Sequence, residues 1–330
     1  MIRLYFIGVG GSVPHPERGL PCLAIKKSGE TILFDCGEGS QVGYIRAGLG
    51  VNKPLTIFIT HLHGDHLYGL PPLLYSLSLL GRTIPVRIIG PVGLYEYVDI
   101  AIEKGGGGLG FRVEVMEVKP EAPHLEPLIK NDKYEVYARP AKHTIPSLVY
   151  VFREKDLPGR FNVEKAEKLG IPPGPLRKAL QKGELVKLPS GKVICPEEVL
   201  GPPRPGIKVV YSGDTRPIAS TDEIVKRPDI LIHDSTFTHD IADVAAEKGH
   251  STALEAAQTA RRVGAKVLFL FHFSQRYKTL DKLREEARSV HRLTFCAEKG
   301  TVITVKKERD RLELTFTYVD VYTRNRNTIR

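Results

Sequence analysis

The chain has 330 residues, 42% hydrophobic and 26% charged, a globular balance that excludes a disordered, collagenous or fibrous protein. Lys+Arg number 48 against 38 Asp+Glu, a formal charge of +10 that favours a polyanionic partner and is silent about fold. Cys22, Cys36, Cys195 and Cys296 stand apart, with no C-x-x-C pair, which excludes a disulfide framework and predicts a reducing, cytoplasmic setting.

The N-terminus, MIRLYFIGVGG, reaches glycines and Pro14 too soon for a signal peptide and reads as a first strand. No apolar run approaches the ~18 residues of a membrane span, so no membrane association is expected. Runs of β-branched and aromatic residues bounded by Gly, Pro or Asp predict strands over Ile2–Val9, Leu23–Lys27, Thr31–Asp35, Leu55–Thr60, Val86–Ile89, Phe111–Val118, Tyr134–Arg139 and Leu148–Phe152. Further strands are predicted over Lys208–Ser212, Ile230–Asp234, Lys266–His272, Val302–Lys306 and Leu312–Val319. Helical patterns fall at Gln41–Ala47, Gly69–Leu80, Leu94–Ile102, Ser251–Val263 and Leu280–Val290; the fourth opens on a capping signal, Ser-Thr-Ala-Leu-Glu. Many strands in both halves with few helices predict an α+β sandwich of two sheets with helices outside. The Gly105–Gly108 run reads as a hairpin or crossover without an assigned role.

One segment departs from this pattern. Residues 153–208 hold nine of the 24 prolines and 12 Lys+Arg against 7 Asp+Glu, half the chain's net charge in a sixth of its length. Such a proline density excludes core strand. Within it lie an amphipathic stretch (Val163–Leu169), a short helix candidate (Leu176–Leu180) and two strand candidates (Leu185–Leu188 and Lys192–Cys195). The segment is expected to be an ordered protruding arm.

The densest chemistry is Thr60-His61-Leu62-His63-Gly64-Asp65-His66, directly after a predicted strand. His61 and His63 project the same way while the backbone is extended; Asp65 and His66 follow on the turn. Imidazole with carboxylate suits zinc and related ions. His143, Asp214 and His272 each follow or end an apolar strand and are the remaining ligand candidates.

The run FITHLHGDHLYGLPPLL (58–74) resembles the metallo-β-lactamase superfamily and, within it, the ribonuclease Z family of tRNA 3′-processing endonucleases. Further similar runs are Leu33–Gln41, Ala141–Ser147, Tyr211–Arg216, Gly249–Thr252 and His272–Tyr277, and the basic segment is similar to the family's arm. Two positions differ from the family's usual pattern: Asp234 stands where Glu is usual, and Gln275 where Pro is usual.

The resemblance implies an αββα metallo-β-lactamase sandwich over 1–152 and 209–305. It also implies an exosite arm over 153–208; the remaining 306–330 are expected to be a C-terminal extension beyond the family's common core, an added strand plus basic tail. The resemblance implies two zinc ions per subunit: one on His61, His63 and His143, the other on Asp65, His66 and His272, with Asp214 bridging. A metal-bridging hydroxide would cut precursor tRNA near the discriminator base, leaving a 3′-OH. Asp65 is the candidate general base, His250 the general acid and Asp234 its orienting partner; Asp35 supports the ligands. Lys165, Lys168, Arg177, Lys178 and Lys182 of the arm, with Arg276 and Tyr277, are the tRNA-contact candidates. The family is typically a homodimer whose arm serves the partner subunit. Two other readings fit a bare two-metal site: a small-substrate phosphodiesterase or arylsulfatase-like enzyme of the same fold, and a zinc-stabilised RNA-binding protein without catalysis.

Overall fold

In β1 (Ile2–Gly8), Leu4 and Phe6 enter a core between two sheets, while Tyr5 and Ile7 enter a second core beneath helices. Successive side chains of a strand point to opposite faces, so this alternation sets the layers. It continues through β2 (Cys22–Lys27), β3 (Glu30–Phe34), β4 (Leu55–Phe58) and β5 (Val86–Pro91). Leu23, Ile25, Phe34 and Phe58 face inward, and Ala24, Leu33, Ile57 and Ile88 outward. β6 (Val113–Val118) ends this sheet. Its outer face is covered by α1 (Ser40–Arg46), the single turn α2 (Gly64–Leu67), α3 (Leu70–Leu79) and α4 (Leu94–Lys104). Helix α3 buries Leu70, Leu73, Leu74 and Leu77, one stripe of a 3.6-residue period. Gly106, Gly107 and Gly108 follow α4 with φ of 106°, 65° and 63°, a left-handed run that other residues rarely adopt. The computed structural model describes residues 1–119, 126–218, 222–308, 311–319 and 326–329.

The second sheet begins with β7 (Ile129–Lys130), β8 (Tyr134–Ala141) and β9 (Ser147–Glu154). The chain then leaves the sheet. It forms α5 (Val163–Lys168), α6 (Pro175–Gln181), a hairpin of β10 (Val186–Lys187) and β11 (Val193–Ile194), and α7 (Pro196–Val199). Ala166, Ile171, Leu180, Val186, Leu188, Ile194 and Val199 make a small hydrophobic cluster separate from the other two. Bridges Leu157–Arg204 and Phe161–Leu200 close the neck.

The sheet resumes with β12 (Lys208–Tyr211) and β13 (Ile230–Asp234), then α8 (Ala242–Glu247) and α9 (Ala253–Val263), β14 (Val267–Phe271), α10 (Asp281–Arg288) and β15 (Thr294–Cys296). Ala253, Ala256, Ala257 and Ala260 of α9 and Leu283 and Ala287 of α10 pack with this sheet. β16 (Thr301–Glu308), β17 (Arg311–Tyr318) and β18 (Arg326–Ile329) return to the first sheet. The strand orders are β18-β17-β16-β1-β2-β3-β4-β5-β6 and β15-β14-β13-β12-β9-β8-β7. Both sheets are mixed: β3 to β6 and β12 to β15 are parallel, and their other pairings are antiparallel. The layers therefore run αββα, as expected.

Some boundaries shift for local reasons. The helix expected from Ser251 starts at Ala253 because Thr252 is the cap: its hydroxyl accepts the Glu255 amide at 3.2 Å, and Glu255 accepts the Thr252 amide at 2.8 Å. The strands expected to end at Asp35 and His272 stop one residue earlier, since those residues turn left-handed at φ 56° and 65°. Positions 309–310, 320–325 and 330 of the expected C-terminal extension lie outside the described residues. The four cysteines are free thiols, and among the described residues no helix is long and apolar enough to cross a membrane.

Candidate metal and active site

Ligand-type side chains gather where strands run out. Asp35 follows β3, Thr60 to His66 follow β4, Asp214 follows β12, Asp234 ends β13 and His272 follows β14. Parallel strands open their carboxyl ends onto one rim, the usual place for a ligand site in such sheets. His143 comes from the turn between β8 and β9.

Two of the groups formed there hold the predicted ligands, and Asp214 belongs to both; a third joins Asp214 and His272 to Asp234 and His250. His61, His63, His143 and Asp214 have ligand atoms within 4.8 Å of one another, and so do Asp65, His66, Asp214 and His272. In the first, Nδ1 of His63 lies 3.1 Å from Nε2 of His61 and 3.2 Å from Nε2 of His143. Asp214 Oδ2 is 3.7 Å from His61 Nε2 and 3.9 Å from His143 Nε2. In the second, His272 Nε2 is 3.3 Å from both Asp65 Oδ2 and Asp214 Oδ2, and His66 Nε2 is 3.1 Å from Asp214 Oδ1. A tetrahedral zinc with bonds of about 2.0–2.1 Å spaces its ligand atoms about 3.3 Å apart, so both groups fit such an ion. His66 Nε2 and Asp214 Oδ1 are buried without a hydrogen-bond partner, an expensive arrangement unless something positive satisfies them.

Surrounding residues explain why the nitrogens face this way. Asp35, fully buried, accepts the Thr60 amide at 2.8 Å, the Thr60 hydroxyl at 2.9 Å, the Tyr211 hydroxyl at 2.8 Å and His66 Nδ1–H at 2.7 Å. The Thr60 hydroxyl proton is thus committed, and His61 Nδ1–H donates to that oxygen at 2.9 Å. Thr236 repeats the device: its hydroxyl donates to Asp234 at 2.7 Å and accepts His272 Nδ1–H at 2.8 Å. His143 Nδ1–H donates to the Gly249 carbonyl at 2.9 Å. A histidine whose Nδ1–H is engaged presents the Nε2 lone pair, the form that binds metal. The cluster is therefore arranged to accept a metal cofactor.

Burial sets the charges, with carboxylates arguing back. Burial, together with His66, holds His61 well below the ordinary imidazole range. At His66 burial is outweighed by Asp214, Asp35 and Asp65, and the pKa is raised. Burial works against Asp65, yet His66 and His272 hold it below the usual carboxylate range. The amide of Ser12 also donates to Asp65 Oδ2 at 2.7 Å.

His250 stands beside the second group rather than in it. Its Nδ1 lies 2.9 Å from Asp234 Oδ2 and 3.8 Å from Asp214 Oδ2, and its ring stacks on His272 with centroids 5.1 Å apart. Burial opposes its charge, but Asp234 and then Asp214 prevail and push it up to about 9. The shorter Asp234 reaches His250 despite replacing the family's usual Glu, and it also accepts the amides of Thr215 and Thr236, each at 3.0 Å. Arg216 ties this wall together: it donates to the His250 carbonyl and to both oxygens of Glu255 in the α9 capping box. A cleft of about 630 Å³ opens onto His63, Asp65, His143, Asp214 and His250.

The tRNA-contact candidates divide. Lys165, Lys168, Lys178 and Lys182 are exposed on the arm. Arg177 is turned inward, with Nε and Nη2 donating to the Ile171 carbonyl at 3.0 and 2.8 Å. Tyr277 is half-buried, and its hydroxyl accepts the Thr238 amide at 2.9 Å. Arg276 lies over the Phe237 ring at 4.9 Å. Gly11 escaped the sequence reading: a Cβ there would meet the His272 ring at 2.2 Å, so only glycine lets this loop lie on that ligand. Thr60, Tyr211 and Thr236 also escaped it, although each adjoins or lies within a run already singled out.

This fold and site define a member of the metallo-β-lactamase superfamily. The chain matches the metallo-beta-lactamase superfamily over residues 18–145 and the beta-lactamase superfamily domain over residues 199–273. It is 41% identical to ribonuclease Z of Methanosarcina acetivorans over 299 residues, covering 90% of this chain and 96% of that one. It is 42% identical to ribonuclease Z of Methanothermobacter thermautotrophicus over 306 residues, covering 93% and 97%. The solved structure of human tRNase Z, short form, superposes with a TM-score of 0.67 at 28% identity, covering 92% of this chain and 98% of that one. The chain belongs to the ribonuclease Z family.

Proposed function

We propose that this protein is a zinc-dependent endoribonuclease that removes the 3′ trailer from precursor tRNA. The observation that carries the reading is a ligand cluster with every family position filled, in a chain that shares about 41% identity with ribonuclease Z along nearly its whole length. His61, His63 and His143 would hold one ion and Asp65, His66 and His272 the other, with Asp214 available to both. Zinc, when bound, supplies Lewis acidity toward the phosphoryl oxygens and a water that ionises near neutral pH. Asp65 takes the proton of the attacking water. His250 gives a proton to O3′ as the P–O3′ bond breaks. The tRNA keeps a 3′-OH and the trailer a 5′-phosphate. Asp234 holds His250 Nδ1, leaving Nε2 as its proton-carrying nitrogen toward the cleft.

Residues 1–152 and 209–305 form the catalytic unit in this reading, 153–208 the arm that grips tRNA, and 306–330 an extension. The exposed lysines of the arm meet the phosphate backbone, which is read by shape and charge. The enzyme acts as a homodimer in which each arm serves the partner subunit, and four free thiols suit a cytoplasmic setting. The test is metal analysis of the purified protein with mapping of the cut on one precursor tRNA. Two zinc ions per chain and one cut beside the discriminator base are expected. Uncut precursor with the metal in place would overturn the reading.

A further inference from the structure

Tyr68 is a large aromatic side chain left 61% exposed on the wall of the cleft that Asp65, His143 and His250 also line. It belongs to no ligand group and to neither main hydrophobic core. Its ring is nonetheless fixed in place. It lies over Gly64, between His63 and Asp65, where an added Cβ would come within 2.3–2.7 Å of three ring atoms. It runs nearly parallel to Tyr97, with centroids 6.3 Å apart and planes 15° apart. Tyr97 in turn packs against the outer core. An oriented ring three residues or fewer from two ligand candidates, Asp65 and His66, thus keeps most of its surface open beside the cleft.

We propose that Tyr68, held by Gly64 and Tyr97, is a stacking platform for an unpaired nucleobase next to the scissile phosphate. This rests on the proposed reading as an endoribonuclease. Unpaired RNA is recognised by stacking its bases on aromatic rings, a sequence-tolerant contact because every base has a π-face. The cleft volume of about 630 Å³ suits a ligand of nucleotide size. The phosphate goes to the ligand cluster and the base to the ring beside it, so Tyr68 sets which nucleotide lies in register for cutting.

The test crosses enzyme with substrate. Single-turnover cleavage is measured for wild type, Tyr68→Ala and Tyr68→Phe, on a precursor tRNA with every base present and on precursors abasic at each nucleotide flanking the cut. Metal content is measured on all three proteins. Tyr68→Ala should lower kcat/KM on the intact precursor by about 5- to 150-fold, the range that stacking of one base is worth, while Tyr68→Phe keeps activity near wild type. On the precursor abasic at the stacked nucleotide, wild type should fall to the level of Tyr68→Ala and the alanine variant should lose nothing further. A Tyr68→Ala loss of equal size on every abasic precursor, or no loss on the intact one, overturns the platform alone. Metal-loaded wild type that leaves every precursor uncut overturns the function and the platform together.

Discussion

Around the metal cluster five imidazoles are tied down through Nδ1, to Thr60, Asp35, Gly249, Asp234 and Thr236, at 2.7–2.9 Å. On the arm Lys165, Lys168, Lys178 and Lys182 stand exposed, with no ion pair among the described residues. The first region is held by long-range contacts; Asp35 alone gathers groups 25, 31 and 176 residues away. The second has a cluster of its own, built from residues between Phe161 and Val199. Chemistry needs ligand atoms fixed within fractions of an ångström, whereas gripping a polyanion needs charge in roughly the right place. The contrast makes distinct demands on each region.

The largest effect belongs to the shared ligand. Asp214→Ala should cost activity at least about 10³-fold and lower the metal content, because the ions supply several kcal/mol of stabilisation; elemental analysis and turnover check both. His250→Ala should cost about 10²–10⁴-fold in turnover with metal content unchanged, which separates a proton donor from a ligand. Loss of metal from that variant would place His250 in the coordination sphere instead.

Much of this centre is visible in the order of residues. His61, His63, Asp65 and His66 fall within six positions, so the motif survives without any knowledge of folding. The strand ends carrying His143, Asp214 and His272 are legible because apolar runs stop there. What stays hidden is long-range. That Gly11 lies on His272, or that Tyr211 bonds Asp35, follows from pairing strands far apart in sequence. Orientation is hidden as well: Arg177 reads as a free cation, yet it closes its own turn through the Ile171 carbonyl. The same limit applies to Tyr277, whose hydroxyl is occupied by Thr238. Short elements such as α2 and β7 are too brief for any period to register.

Smaller effects sharpen the contrast further. Asp35→Asn should lower metal affinity or activity by about 10- to 100-fold, since it loosens His66 and Thr60 without removing a ligand; metal titration reads it. Replacing Lys165, Lys168, Lys178 and Lys182 one at a time should leave turnover on a small diester unchanged. Each loss of a phosphate contact should flatten the salt dependence of tRNA binding by about one unit of slope.

The division of labour is tested most directly by removing the arm. The neck closes at the Leu157–Arg204 bridge, so residues 157–204 can be replaced by a short Gly-Ser linker without cutting β9 or β12. The shortened protein is assayed on precursor tRNA and on bis(p-nitrophenyl) phosphate, with its metal content measured. The expected result is full metal loading, diester hydrolysis near that of the intact protein, and collapse of tRNA cleavage. Equal survival of both activities would contradict a role for the arm in selecting tRNA.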